Sequence, residues 1–175
     1  HALVRFVEEA EFRGRREITL KYRFAHKVYH DACLESLRVT RRVGLSRAIA
    51  ERLVVRTGNL LITSGHVSDL KGKLGDGLTV EQGKAAARDC AAKILNSVWN
   101  ARGSLDGLRV LKLLGCVNST LEFDQQHLVV NGYSDLLHEV FGKAGDGHHA
   151  RSALGFAQLP TGAAVEVEAI FEIKA

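Results

Sequence analysis

Arg151 is the residue whose type and setting promise chemistry. Its guanidinium is always charged and offers a rigid fork of N–H donors that fits a carboxylate through two parallel hydrogen bonds. Two imidazoles, His148 and His149, come just before it. An arginine beside two imidazoles can also act on a phosphodiester, with acid, base and phosphate clamp in one place. RNA cleavage is therefore a rival use of the same residues. His26 and His30 stand at i, i+4, a spacing that puts two imidazoles on one helix face and can bind zinc. No third ligand is signalled nearby, so the expectation is a surface or structural role, with no metal and no cofactor.

Strands and helices must position these groups. The run from His148 to Leu159 reads as one strand and Val165 to Ile173 as the next, joined as a hairpin by a short turn at Pro160-Thr161-Gly162 with Arg151 at its mouth. In the second strand Val165, Val167, Ala169, Phe171 and Ile173 alternate with Glu166, Glu168 and Glu172, which makes one face apolar and the other largely acidic. Upstream, Leu53–Arg56 and Leu60–Ser64 flank Thr57-Gly58-Asn59, a sequence suited to a tight hairpin turn. Thr79 and Gln82 form a capping box that opens a helix to about Asn100, with Ala87, Ala91, Ile94, Leu95 and Val98 on its apolar stripe. Gly107–Val117 is expected as a central strand. A second helix starts at Val130, with Leu136, Leu137, Val140 and Phe141 as its apolar face. Val67–Gly77, rich in glycine and lysine, reads as a mobile surface loop and lacks the G-x-x-x-x-G-K-[ST] pattern of a phosphate loop. The order β-β-α-β-α-β-β predicts an α+β fold, one mixed sheet with two helices on one face. The other sheet face is left needing a partner.

Length and charge divide the chain. At 175 residues and 46% hydrophobic, a single domain with a proper core is affordable. Residues 1–50 hold 11 Lys/Arg against 6 Asp/Glu, and the remaining 125 hold 13 against 14, so the net charge of +4 belongs to the N-terminal segment. Residues 1–50 read as a basic extension and 51–175 as the folded domain. Within the extension, Arg16–Phe24 alternates like a strand, and Asp31 is placed to cap a helix carrying Leu34, Leu37 and Ile49. Such a basic segment can meet nucleic acid or an acidic surface, though solvated charge is the commoner outcome. Cys33, Cys90 and Cys116 are odd in number and far apart, which suits reduced structural thiols. No apolar run reaches the ~18 residues of a membrane span, and no signal pattern opens the chain. The expectation is a soluble, cytoplasmic protein with no membrane partner. Methionine is absent throughout, position 1 included, as in a fragment or a sequence that has lost its methionines.

Several stretches resemble one family. Arg151-Ser152 with Ala157 and Leu159-Pro160, followed by Val165-Glu166-Val167-Glu168-Ala169, is similar to the C-terminal signature of the RidA/YjgF family, also called L-PSP endoribonucleases. Thr57-Gly58-Asn59-Leu60-Leu61-Ile62-Thr63-Ser64-Gly65-His66 resembles the family's opening hairpin, with Ser64 and Gly65 matching its Ser-Gly pair and His66 standing where glutamine is common. Lys112–Ser119 and Val130–Gly142 are similar to the longer-chain branch. The resemblance reaches from about Leu53 to the end of the last strand. It implies a chorismate-mutase-like fold, a homotrimer with sheets facing inward, and a pocket at each subunit interface. It also implies hydrolysis of reactive 2-imino or enamino acids to 2-oxo acids and ammonia. Arg151 would hold the substrate carboxylate and Glu166 would direct the water, with Ser64, Gly65 and Asn131 as further substrate-binding residues. Two departures stand out. The aromatic that many relatives place before the first hairpin is missing, with Ile49-Ala50-Glu51 near its place, and the cysteine two residues after the key arginine is Ala153. The first removes a pocket wall; the second matters little, because this hydrolysis needs no covalent nucleophile.

Three readings follow: an imine/enamine deaminase, a carboxylate-binding or protein-interacting trimer without turnover, and an endoribonuclease. Aromatics make up only 6% of the chain, which gives the third few stacking platforms for RNA bases.

Overall fold

In the computed structural model of the chain, residues 4–11, 18–24 and 53–174 are described. The chain divides into two compact units between Leu45 and Ser46. In the first, β1 (Val4–Glu11) pairs antiparallel with β2 (Ile18–Phe24), from Val4 opposite Phe24 to Glu11 opposite Ile18. The strand expected at Arg16–Phe24 is therefore present as β2. The helix expected after Asp31, the His26/His30 pair, Cys33 and Ile49–Glu51 lie outside the described residues.

The second unit runs β3 (Val54–Thr57), β4 (Leu60–Thr63), β5 (His66–Val67), β6 (Lys73–Leu74), β7 (Gly77–Leu78), α1 (Val80–Arg102), β8 (Leu108–Asn118), α2 (Gln126–Phe141), a π-helical turn (Gly142–Asp146), β9 (Ala150–Phe156) and β10 (Val165–Ile173). Its main sheet has the order β3-β4-β10-β8-β9, with β5 also paired to β10. Within this sheet only β8 and β9 run parallel and the other pairs are antiparallel, so the sheet is mixed; β6 and β7 form a separate parallel pair. Period-two alternation fixes which side each residue serves. Val165, Val167, Ala169 and Phe171 of β10 are buried with Leu108, Val110, Leu113 and Val117 of β8. Both helices cover this side through Ala87, Ala91, Ile94 and Val98 of α1 and Val129, Val130, Tyr133 and Leu137 of α2. The expected α+β architecture, two helices on one face of a mixed sheet, is the one observed.

The ends of α1 follow from its sequence. Thr79 accepts from the Gln82 N–H while the Gln82 side chain accepts from the Thr79 N–H, and Gly103 closes the helix at φ 84°, donating to the Trp99 carbonyl. Four orphan donors at one end and four acceptors at the other need such partners. No side-chain cap opens α2, which begins at Gln126 rather than Val130. Without a capping signal its first turn is invisible to pattern reading. Its buried stripe starts at Val129, and Val140, expected inward, is 45% exposed.

Two further expectations are corrected. β9 and β10 do not form a hairpin, because β8 lies between them. The connection from Ala157 to Ala164 crosses the end of β8, where Asn118 donates from its backbone to Ala164 O and from its side chain to Ala163 O. Residues 67–77 lie largely at the surface, as expected, but are anchored rather than loose. Leu74 is fully buried, the Leu70 carbonyl accepts from Ala164 N–H, and Lys73 Nζ donates to Asn118 Oδ1 and Ala157 O.

Candidate functional site

The predicted residues fall into two clusters. In the first, Arg151 stands on the edge strand β9, in register with buried Leu113 of β8, and so points to the helix side of the sheet. There its Nη1 donates to Asn131 Oδ1 at 2.8 Å and to Ser134 Oγ at 3.2 Å, both on α2. Asn131 and Ser134 are three apart, which puts them on one helix face. Among the described residues no carboxylate pairs with Arg151. Its side chain is exposed, and its Nε and Nη2 donors have no protein acceptor among those residues.

Behind the guanidinium runs a polar chain that sequence reading missed. Ser134 Oγ lies 3.0 Å from His149 Nε2, and His149 Nδ1 meets the Gly147 carbonyl. A carbonyl can only accept, so Nδ1 carries the proton, Nε2 is the acceptor, and the Ser134 hydroxyl donates to it. Burial lowers the His149 pKa, partly opposed by the Gly147 hydrogen bond, with the nearby His138, Arg151 and His148 lowering it further. The His138 ring packs against it at 5.1 Å between centroids. His148, by contrast, is exposed. The two adjacent imidazoles thus occupy different environments, because consecutive residues here leave a turn for a strand.

The second cluster is built on the break between β4 and β5. Ile62 pairs with Ile170 and His66 with Val167, so four steps on one strand match three on the other and Ser64-Gly65 forms a bulge. Glu166 lies over that bulge. A Cβ placed on Gly65 would sit 2.1 Å from Glu166 Oε1, so only glycine leaves room for the carboxylate there. His66 fixes the bulge: its Nδ1 donates to the Ser64 carbonyl at 2.8 Å, and its Nε2 accepts from the Ser97 hydroxyl of α1 at 2.8 Å. Beside Glu166 across the strands is Cys116, whose thiol is pushed up to about 11 by burial and by the charges of Glu166 and Glu168; burial takes Cys90 to about 12. Thiols that titrate so high are poor nucleophiles.

Within one chain the two clusters do not meet. Glu166 is in register with Cys116, between buried Val165 and Val167, and therefore faces away from the helices, whereas Arg151 faces toward them. Two strand spacings and three residues of rise separate them by about 14 Å between Cα atoms, through the sheet. A cavity of about 340 Å³ lies elsewhere, toward the end of β10, walled by Val54, Arg56, Leu61, Val98, Ala101, Arg102 and Ile173, with none of the predicted residues on it. Among the described residues no cluster of His, Cys, Asp or Glu is arranged to hold a metal, and no helix is long and apolar enough to cross a membrane.

His66 and His149 tie stability to pH. Burial is the leading cause of a lowered pKa at both, so each takes its proton more readily in the unfolded chain, near 6.5. Their stabilisation is complete above that pH and is lost as pH falls through the lower folded values. The urea midpoint should therefore drop between pH 7 and pH 5, and His66→Gln should flatten part of that slope. An equal slope in the variant would mean that other groups carry it.

The comparisons with known proteins agree with this architecture. Residues 48–173 match the family described as Endoribonuclease L-PSP. Protein TCP17 of Trypanosoma cruzi is 50% identical over 105 residues, covering 59% of this chain and 65% of TCP17, so the chain spans just under two thirds of that relative. The crystal structure of Atu1372 from Agrobacterium tumefaciens, a protein of unknown function, is 34% identical with a TM-score of 0.67, covering 79% of this chain and all of that one. A candidate endoribonuclease from Shewanella oneidensis is 28% identical with a TM-score of 0.65, covering 69% and 83% of the two chains. By sequence and by fold, the chain belongs to the endoribonuclease L-PSP family, the RidA/YjgF group.

Proposed function

We propose that the chain hydrolyses reactive 2-imino and 2-enamino acids to 2-oxo acids and ammonia, in a pocket completed between copies of a cytoplasmic homotrimer. One observation carries this reading: Arg151 is a guanidinium without a carboxylate partner among the described residues, held by neutral oxygens with its Nε–Nη2 edge free. That edge presents two parallel N–H bonds, the arrangement a substrate carboxylate fills. The carbon next to that carboxylate is an imine and already electrophilic, so the protein need only place water and move protons. Glu166 takes a proton from the water, the oxygen bonds to the imine carbon, and the nitrogen gains a proton. Collapse of this adduct moves the hydroxyl proton to the nitrogen by way of Glu166 as the C–N bond breaks, releasing ammonia, forming the C=O of the 2-oxo acid and returning Glu166 to its carboxylate form.

Because Arg151 and Glu166 occupy opposite sheet faces, one copy supplies the anchor and another the glutamate. The face bearing Glu166 also carries Ile62, 40% exposed, and Leu154, 48% exposed, apolar groups that a neighbouring copy would cover. Ser64 and Gly65 line the same pocket beside Glu166, and Asn131 lines it beside Arg151. A reading as an endoribonuclease finds less support, since His149 is tied into the hydrogen bonds behind Arg151 and is not free for acid–base exchange with RNA.

The test is the rate of 2-iminopropanoate hydrolysis, with the imine generated in situ. Wild type should accelerate it, and Glu166→Gln should lose about 10²–10⁴-fold, the usual worth of a positioned acid or base. Gly65→Ala, which pushes the Glu166 carboxylate aside, should show a similar loss in a folded protein of unchanged oligomeric state. A well-folded wild type that leaves imine decay unaccelerated would sink the deaminase reading in favour of a binding protein.

A further inference from the structure

The polar chain behind Arg151 is costly to build and has no part in the hydrolysis as written. Ser134 is only 5% exposed, yet its oxygen has both a donor and an acceptor partner. A serine 3.0 Å from an imidazole nitrogen has the look of a nucleophile and its base. Here that use is blocked: the oxygen is buried in the face of α2 and already accepts from Arg151, which leaves no path to a substrate carbon.

Its effect lies instead on the arginine. A guanidinium has five N–H donors, and Nη1 spends its two on Asn131 and Ser134. Two fixed acceptors determine the plane of the group, and what is left facing out is the Nε–Nη2 edge. The Ser134 oxygen is a good acceptor in that direction only while its own hydrogen points elsewhere. His149 Nε2 takes that hydrogen, and the Gly147 carbonyl in turn holds His149 in the tautomer that makes Nε2 an acceptor. Each link sets the orientation of the next, from a backbone carbonyl to the guanidinium.

We propose that Ser134 and His149 are positioning residues that lock the Arg151 guanidinium so that its Nε–Nη2 edge receives the carboxylate of a 2-imino or 2-oxo acid. This inference rests on the reading of Arg151 as the carboxylate anchor. It assigns specificity for a planar, two-oxygen anion to a relay that never touches the ligand. Ser134→Ala removes an acceptor of a charged donor, and a serine that cannot hand its hydrogen to residue 149 is a poorer acceptor still.

The experiment measures pyruvate binding to the whole 175-residue chain by calorimetry, with imine hydrolysis kinetics alongside. Ser134→Ala should weaken pyruvate binding about tenfold, as expected for loss of one hydrogen bond to a charged group. It should raise KM more than it lowers kcat. Ser134→Thr, which keeps the hydroxyl, should recover most of the affinity, and His149→Gln, whose amide can accept from Ser134, should bind better than His149→Ala. In wild type, the ¹⁵N resonances of His149 should report the Nδ1–H tautomer, and in Ser134→Ala the Nε2 signal should move as it loses its donor. Pyruvate binding in folded Ser134→Ala and His149→Ala equal to wild type overturns the relay and leaves the anchor reading intact. Wild type that binds neither pyruvate nor 2-oxobutanoate overturns both.

Discussion

Replacing Arg151 with alanine should lower kcat/KM for 2-iminopropanoate by about 100-fold or more, the cost of two hydrogen bonds between a guanidinium and a carboxylate. The loss should be specific to chemistry at the anchor. Arg151 is exposed on an edge strand and its side chain contributes nothing to the core, so the variant should fold and assemble as wild type does. Arg151→Lys is expected to recover little, because an ammonium is a single point of charge and cannot bind both oxygens in one plane. Parallel assays of the three proteins, with sedimentation to check assembly, decide the matter. Full activity in Arg151→Ala would mean that the carboxylate is held elsewhere and that the unpaired fork serves another end.

Gly132→Ala should be the most damaging single methyl in the helical layer. A Cβ at Gly132 would lie 1.9 Å from the Lys84 carbonyl oxygen of α1, and the obstructing atom is backbone that cannot swing aside. The two helices would have to part, loosening the contacts of Val129, Val130 and Tyr133 beneath them. Overpacking of this kind costs about 3 kcal/mol, against which the better helix propensity of alanine returns about 1. Thermal unfolding should fall by roughly 10 °C. Because Asn131 and Ser134 ride on the same helix, the surviving folded fraction should also bind carboxylate more weakly. An unchanged melting temperature would show that the helices have slack at the crossing. Gly115, whose added Cβ would meet only the Val130 side chain at 2.6 Å, should tolerate alanine better.

Much of this was written in local sequence. Alternation in Val165–Ile173 fixed a strand and its buried face, the Thr79–Gln82 box fixed the start of α1, and the spacing of alanines fixed the face it buries. These are properties of a few neighbouring residues, and neighbours along the chain determine them. The start of α2 was not legible, since its first turn has no cap and is held by packing of Val129 and Val130. Nor was the insertion of β8 between β9 and β10, because a short turn after Pro160 reads the same whether the next strand pairs with its predecessor or passes over its neighbour.

At the site the division is sharper. Sequence alone singled out Arg151, Glu166, Ser64, Gly65 and Asn131 by type and resemblance. Only the tertiary structure decided that they form two groups on opposite faces of one sheet, and that Gly65 and Asn131 each belong to one of them. Sheet register makes that decision: it depends on hydrogen bonds between strands more than 100 residues apart, such as Ala169 N–H to Thr63 Oγ1, 106 residues apart. The Ser134–His149 link is of the same kind, since a helix and the turn before a strand meet there only once the chain has folded.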